Sequence, residues 1–172
     1  MYVVSAYIAL IVIGGIIFFF IKGMVKGVKF AKVKADSVML DLSEWVTATI
    51  FDNYKISIPS TLLSNGNYFY SKRKDYSIQI SRHDHTTSGQ EETILKYLRS
   101  VYVNESQIRK ESEITSFCIN GIQAKYYVAK CKNSMWTLAV YDCAGAYLSL
   151  AINAYNETFE AVTQQIMNSF NK

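Results

Sequence analysis

The chain has 172 residues, of which 18 are Lys or Arg and 14 are Asp or Glu, so its formal net charge is +4. Residues 1–35 contain five lysines and no acidic residue, which leaves 13 basic and 14 acidic residues from Asp36 onward. A nearly neutral body argues against a nucleic-acid-binding protein, which would carry a basic stripe on its folded domain. Half of the residues are apolar and one is proline, which excludes a disordered chain.

The first element in chain order is an apolar run at residues 2–21, which contains no charged residue. A helix of this length would measure about 30 Å, enough to cross the hydrocarbon core of a bilayer. The run is longer than the apolar core of a cleaved signal peptide, and lysines follow it in place of a small-residue cleavage site. The sequence therefore predicts a transmembrane helix at residues 1–21 and a single-pass membrane protein.

Residues 22–53 are predicted to form a basic juxtamembrane segment and a connector. The positive-inside rule places its lysines, and with them the rest of the chain, on the cytoplasmic side; an extracytoplasmic domain is the alternative. These lysines either fix only the topology or also contact anionic lipid of the bilayer at the membrane surface. They are Lys22, Lys26, Lys29, Lys32 and Lys34.

A folded domain is predicted at residues 54–172. Strand-like segments alternate through most of it, and helical spacing of apolar residues predicts helices at about 89–102 and 157–170. Asn120-Gly121 indicates a tight hairpin turn, because both central positions of such a turn favour positive φ. A second reversal at Asn133-Ser134 would place Tyr127 opposite Val140.

The strands after residue 121 are apolar on both sides, so the predicted sheet needs a cover on each face. The fold class expected from this pattern is α+β: an antiparallel sheet covered by helices on both faces, which is an α/β/α sandwich, preceded by one transmembrane helix.

These elements resemble a known family. Five segments carry the resemblance: the strand YKISIP, the turn at Ser64–Asn67, the segment Ile119-Asn120-Gly121-Ile122, the Trp136 strand and the closing helix through Ile166–Phe170. Together they are similar to the PsbP-like fold, which includes the DcrB-like bacterial proteins. The resemblance covers Tyr54 to Phe170, about two thirds of the chain. It implies a non-catalytic module that binds other proteins at or near a membrane. Most such proteins are exported, often as lipoproteins, whereas no cysteine follows the apolar run here until Cys118.

Few residues of the sequence are candidates for catalysis or metal binding. His83 and His85 are two apart, so on a strand both imidazoles would face the same side and could reach one metal ion; the alternative is that they decorate a polar strand end. No nucleophile elbow, phosphate-binding loop or paired-cysteine metal motif occurs in the sequence. The sequence thus predicts that the protein is not an enzyme and that it has no catalytic residue and no cofactor.

Two tyrosines are candidates for contact with a partner. Tyr68 and Tyr70 alternate in a short strand next to the basic triplet at residues 72–74, and aromatic side chains beside charges are typical of interface rims. Packing of the sheet is the alternative role for such aromatics.

The function predicted from the sequence is that of a membrane-anchored accessory or binding module that acts through protein contacts. The alternatives are an exported sensor or stress-related domain of the same fold, and a hydrolase or metal-binding protein that uses His83 or His85.

Overall fold

The computed structural model describes residues 40, 42–85, 89–155 and 157–172. Within them lie ten strands and two α-helices. The strands are β1 (Trp45–Thr49), β2 (Lys55–Pro59), β3 (Leu63–Asn65), β4 (Tyr68–Tyr70), β5 (Tyr76–Asp84), β6 (Ile108–Glu111), β7 (Thr115–Ile119), β8 (Ile122–Cys131), β9 (Met135–Cys143) and β10 (Ala146–Ala154). The helices are α1 (Glu91–Tyr102) and α2 (Glu160–Asn168).

The strands form two antiparallel sheets. β1 and β2 make a two-stranded sheet, and the other eight form one sheet in the order β3-β4-β5-β10-β9-β8-β6, with β7 pairing with β8 beside β6. The predicted hairpin at Asn120-Gly121 is confirmed, with φ of 50° and 80° at these two residues. β10, the last of the described strands, lies in the middle of the large sheet between β5 and β9.

One face of the large sheet carries the main hydrophobic core. It is covered by α2 together with the β1–β2 sheet, and Ile56 of β2 and Ile166 of α2 are fully buried there. Tyr141 of β9 stacks on Phe170, with ring centroids 4.0 Å apart, and its hydroxyl donates to the Met167 carbonyl at 3.2 Å. The two covering elements are joined as well, because the Ser57 amide of β2 donates to Ser169 Oγ at 2.7 Å.

The other face is covered by α1. Its apolar side, with Leu95 and Leu98, packs on a second buried cluster whose strand residues come from β8, β9 and β10. At the end of the helix, Tyr102 stacks on Trp136 of β9 with ring centroids 5.2 Å apart.

The expected α/β/α sandwich is wrong. The described part of the chain is mostly antiparallel sheet, and the cover of the main face is built by a second small sheet as well as by the short helix α2. The sequence pattern missed this cover because β1 lies in residues 36–53, where helical and extended signals are mixed. β1 and the buried Leu40 and Ile50 fall within the segment 22–53 that was predicted as a connector.

The membrane predictions need correction too. None of the helices in the described residues is long and apolar enough to span a bilayer. This finding corrects both the transmembrane helix in the predicted fold class and the predicted localisation as a single-pass membrane protein. Residues 1–21, on which those predictions rested, and the lysines from Lys22 to Lys34 lie outside the described residues.

Candidate binding surface

The face of the sheet that carries α1 is only partly covered by that helix. The buried residues beneath the helix belong to β8, β9 and β10, whereas β4 and β5 lie beyond them in the same sheet. The side chains on this uncovered part are half-buried rather than buried, and we call them the open sheet face. They are Tyr68, Tyr70, Ser77, Gln79, Ser81 and Asn153.

Alternation along β5 explains why this face is polar. Tyr76, Ile78 and Ile80 point into the main core and are at most 1% exposed, so Ser77 and Gln79 point to the opposite face. The register continues the polar row across three strands, because Tyr70 lies opposite Ser77, and Ser77 lies opposite Asn153. The next row pairs Tyr68 with Gln79.

The two tyrosines form the aromatic part of the surface. The rings of Tyr68 and Tyr70 stack with centroids 5.3 Å apart and planes 20° apart, and both side chains stay half-buried. Each ring therefore packs against the other and also reaches solvent. Phe69 between them points into the main core and is 7% exposed, so it anchors β4 to the sheet.

The two histidines lie at one end of the same face. His83 Nε2 is 2.8 Å from Ser149 Oγ of β10, and burial lowers the pKa of His83. His85 stacks on Tyr147 at 4.8 Å, and its Nε2 is 3.7 Å from Asp142 Oδ1. The histidines thus have different partners, and the described residues contain no group of three His, Cys, Asp or Glu side chains that could hold a metal ion.

A charged cluster lies on the other side of α1. Arg99 donates to Glu105 at 2.8 Å, to Glu111 at 3.1 Å and to the Tyr127 hydroxyl at 3.1 Å, and that hydroxyl donates to Glu111 at 2.6 Å. These bonds from Tyr127 and Arg99 hold the pKa of Glu111 below its usual value. The cluster borders a cavity of about 300 Å³ whose other lining residues are Leu95, Lys96, Ser112 and Ile114.

The structure thus brings together some of the residues that the sequence singled out. Tyr68, Tyr70 and His83 share one face, while the five candidate lysines are outside the described residues. Sequence reasoning missed Ser77, Gln79 and Asn153. Alternation in YSIQIS could have indicated the polar side of β5, but placing Asn153 beside it requires the pairing of β5 with β10.

The fold is also found in solved structures. The chain is similar to cyanobacterial PsbP (CyanoP) from Synechocystis, with a TM-score of 0.55 and 10% sequence identity, over 79% of this chain and 96% of that one. The chain has a PsbP-like fold. This confirms the resemblance noted in the sequence.

A second solved structure, protein PA94 of unknown function from Pseudomonas aeruginosa, gives a TM-score of 0.46 at 14% identity, over 76% of this chain and 98% of that one. No protein-family model matches the sequence, and none of the curated proteins does. At 10% identity, the likeness to CyanoP shows the fold alone.

Proposed function

We propose that this chain is a non-catalytic accessory module that binds a protein partner on the open sheet face. The observation that carries the proposal is the half-buried, stacked pair Tyr68 and Tyr70 beside the amide of Gln79, on a part of the sheet that α1 leaves uncovered. Tyrosine is enriched at protein interfaces because its ring supplies apolar area and its hydroxyl supplies a hydrogen bond.

The composition of the surface supports a protein partner. Tyrosine, serine, asparagine and glutamine side chains combine rigid aromatic area with adaptable hydrogen bonding, as in antibody paratopes. The stacked rings are already ordered by each other and by the sheet, so less side-chain entropy is lost on binding than with long flexible side chains.

The geometry around the histidines favours a binding role over hydrolysis. His83 forms a hydrogen bond with Ser149, but Ser149 is 1% exposed and cannot meet a substrate without rearrangement of the sheet. We therefore assign this pair a structural role. A fluorophosphonate probe, which labels activated serines, should leave the chain unlabelled, and labelling lost in Ser149→Ala would refute this assignment.

The binding proposal is tested with paired variants of the full chain. Tyr68→Ala with Tyr70→Ala removes the aromatic pair, and Gln79→Arg blocks the centre of the face while keeping both rings. Tyr97→Ala on α1 is the matched control, because Tyr97 is 61% exposed and lies outside the open sheet face.

Proteins captured by each variant in cell extract are quantified by mass spectrometry. We expect at least one protein to be lost with both the tyrosine double variant and Gln79→Arg, yet retained by Tyr97→Ala. Identical capture by all four chains would rule out the open sheet face as the binding site.

A further inference from the structure

The part of the chain that the structure describes leaves the outer edge of β1 open. In the described residues β1 pairs with β2 only. The Ser60 amide donates to the Glu44 carbonyl at 3.0 Å, and the Ile50 amide donates to the Tyr54 carbonyl at 2.7 Å. In an antiparallel pair, every second residue of a strand forms main-chain hydrogen bonds with the neighbouring strand. Between Glu44 and Ile50, the residues that bond to β2 in this way are therefore Val46 and Ala48.

The remaining main-chain groups of β1 point the other way. These are the N–H and C=O groups of Trp45, Thr47 and Thr49, which face the open edge. Strand edges of this kind are templates for pairing with another chain, and proteins commonly protect them with charges, bulges or short length.

Most of the edges of the large sheet have such protection, and the exception is β7, an uncharged strand of five residues. β3, at one edge, is only three residues long. At the other edge, β6 carries Arg109, Lys110 and Glu111, has an irregular register with β8, and ends before β7 begins at Thr115. A partner strand along this edge would lie beside the charged side chains of β6 and would lose its hydrogen-bonding partner in the gap between β6 and β7.

β1 has none of these features. Its sequence, WVTAT, contains no charge, glycine or proline, and four of its five residues are β-branched or aromatic. Val46 is 47% exposed although its neighbour across the ladder, Ile58, is 3% exposed, so the strand presents apolar area at the rim of the core.

We infer that β1 pairs with β1 of a second copy of this chain. An antiparallel pair centred on Thr47 places Thr47 opposite itself and Trp45 opposite Thr49, and it pairs all the outward main-chain groups of these residues. The absence of charge on β1 means that identical strands do not repel each other, and threonine pairs opposite each other are favourable.

The resulting contact is isologous, since the same patch serves both copies, and it closes after two copies. The two small sheets become one four-stranded sheet. The open sheet face lies on the other side of the large sheet, so both copies keep it available, and the dimer does not depend on the proposed function.

Disulfide trapping tests the register. In a pair centred on Thr47, the two Thr47 Cα atoms lie about 5.5 Å apart, within the range of a disulfide. The two Thr49 Cα atoms lie about 14 Å apart, which is too far. Full-length Thr47→Cys and Thr49→Cys are compared in a Cys118→Ser background, because native Cys118 is exposed.

After mild oxidation in detergent, which keeps the uncharged residues 2–21 in solution, we expect Thr47→Cys to form several-fold more covalent dimer than Thr49→Cys. Equal trapping of the two variants, or no trapping at Thr47, would overturn the pairing.

Sedimentation analysis provides an independent measurement. Thr47→Lys places two positive charges opposite each other, so the dissociation constant of the dimer should rise up to about fivefold. The control is Thr115→Lys, which puts the same residue on the edge strand β7. A monomeric parent chain, or an equal effect of both lysines, would contradict the proposal.

Discussion

The two faces of the large sheet differ in how they are covered. The main face is closed by α2 and the β1–β2 sheet, and its core includes the fully buried Tyr76, Tyr141 and Phe170. Among the described residues, the other face is covered by α1 over three strands and has no cover over β4 and β5. We expect the first face to supply most of the stability, and the second carries the proposed binding surface. The following substitutions test this division.

The largest loss of stability should come from Phe170→Ala on the main face. Phe170 is fully buried and stacks on both Tyr141 and Tyr54, so its removal leaves a cavity among packed rings. The free energy of unfolding should fall by about 3–5 kcal/mol, measured by urea denaturation. Phe170→Leu fills part of the space and should lose less; equal losses would show that ring packing is unimportant there.

Leu98→Ala beneath α1 should destabilise the chain by about 3 kcal/mol, because Leu98 is 3% exposed between the helix and the sheet. Val101→Ala on the same helix is the control, since Val101 is 54% exposed and should change stability by less than about 0.5 kcal/mol. If Leu98→Ala changes the free energy of unfolding as little as the control does, the contact between α1 and the sheet does not contribute to stability.

Tyr127→Phe should reduce stability by about 1 kcal/mol, because it removes the hydroxyl that bonds Glu111 and Arg99. It should also change the pH dependence. These partners lower the pKa of Glu111, so its contribution is present above the pKa of an unfolded glutamate and is lost as the pH falls through the folded pKa.

Urea denaturation across the acid range should therefore show a shallower decline for Tyr127→Phe than for the parent chain. Parallel declines would mean that the hydroxyl does not govern the titration of Glu111.

The smallest effect on stability is expected on the open sheet face. Tyr70→Ala removes a half-buried ring and one stacked pair, so the loss should be no more than about 1 kcal/mol. A loss as large as that of Leu98→Ala would make the tyrosine pair part of the core and weaken the case for a binding surface.

Much of the β-sheet could be predicted from local sequence. The Asn-Gly hairpin, the helix through Leu95 and Leu98, and the PsbP-like pattern depend on short-range spacing, and the structure contains all three. Register was less predictable. Tyr127 lies opposite Leu138 rather than Val140, because the central residues of the turn are Lys132 and Asn133, one position earlier than the predicted Asn133-Ser134.

The candidate surface was predictable only in part, for a physical reason. Alternation marks Tyr68 and Tyr70 as sharing a side, but their neighbours depend on which strands pair over long separations. By contrast, β1 has the local propensity of a strand in WVTAT and pairs with the neighbouring β2, but the mixed helical and extended signals of residues 36–53 concealed it.

The central position of β10 has a consequence for biosynthesis. Because Ile78 of β5 pairs with Ile152, and Ile152 also pairs with Thr137 of β9, the two halves of the large sheet meet only through the last strand. A chain still on the ribosome exposes the inner edges of β5 and β9 until β10 has emerged. Arrest of translation before Ala146 should therefore leave a nascent chain that requires a chaperone, whereas release after Asn168 allows the sheet and both its covers to close.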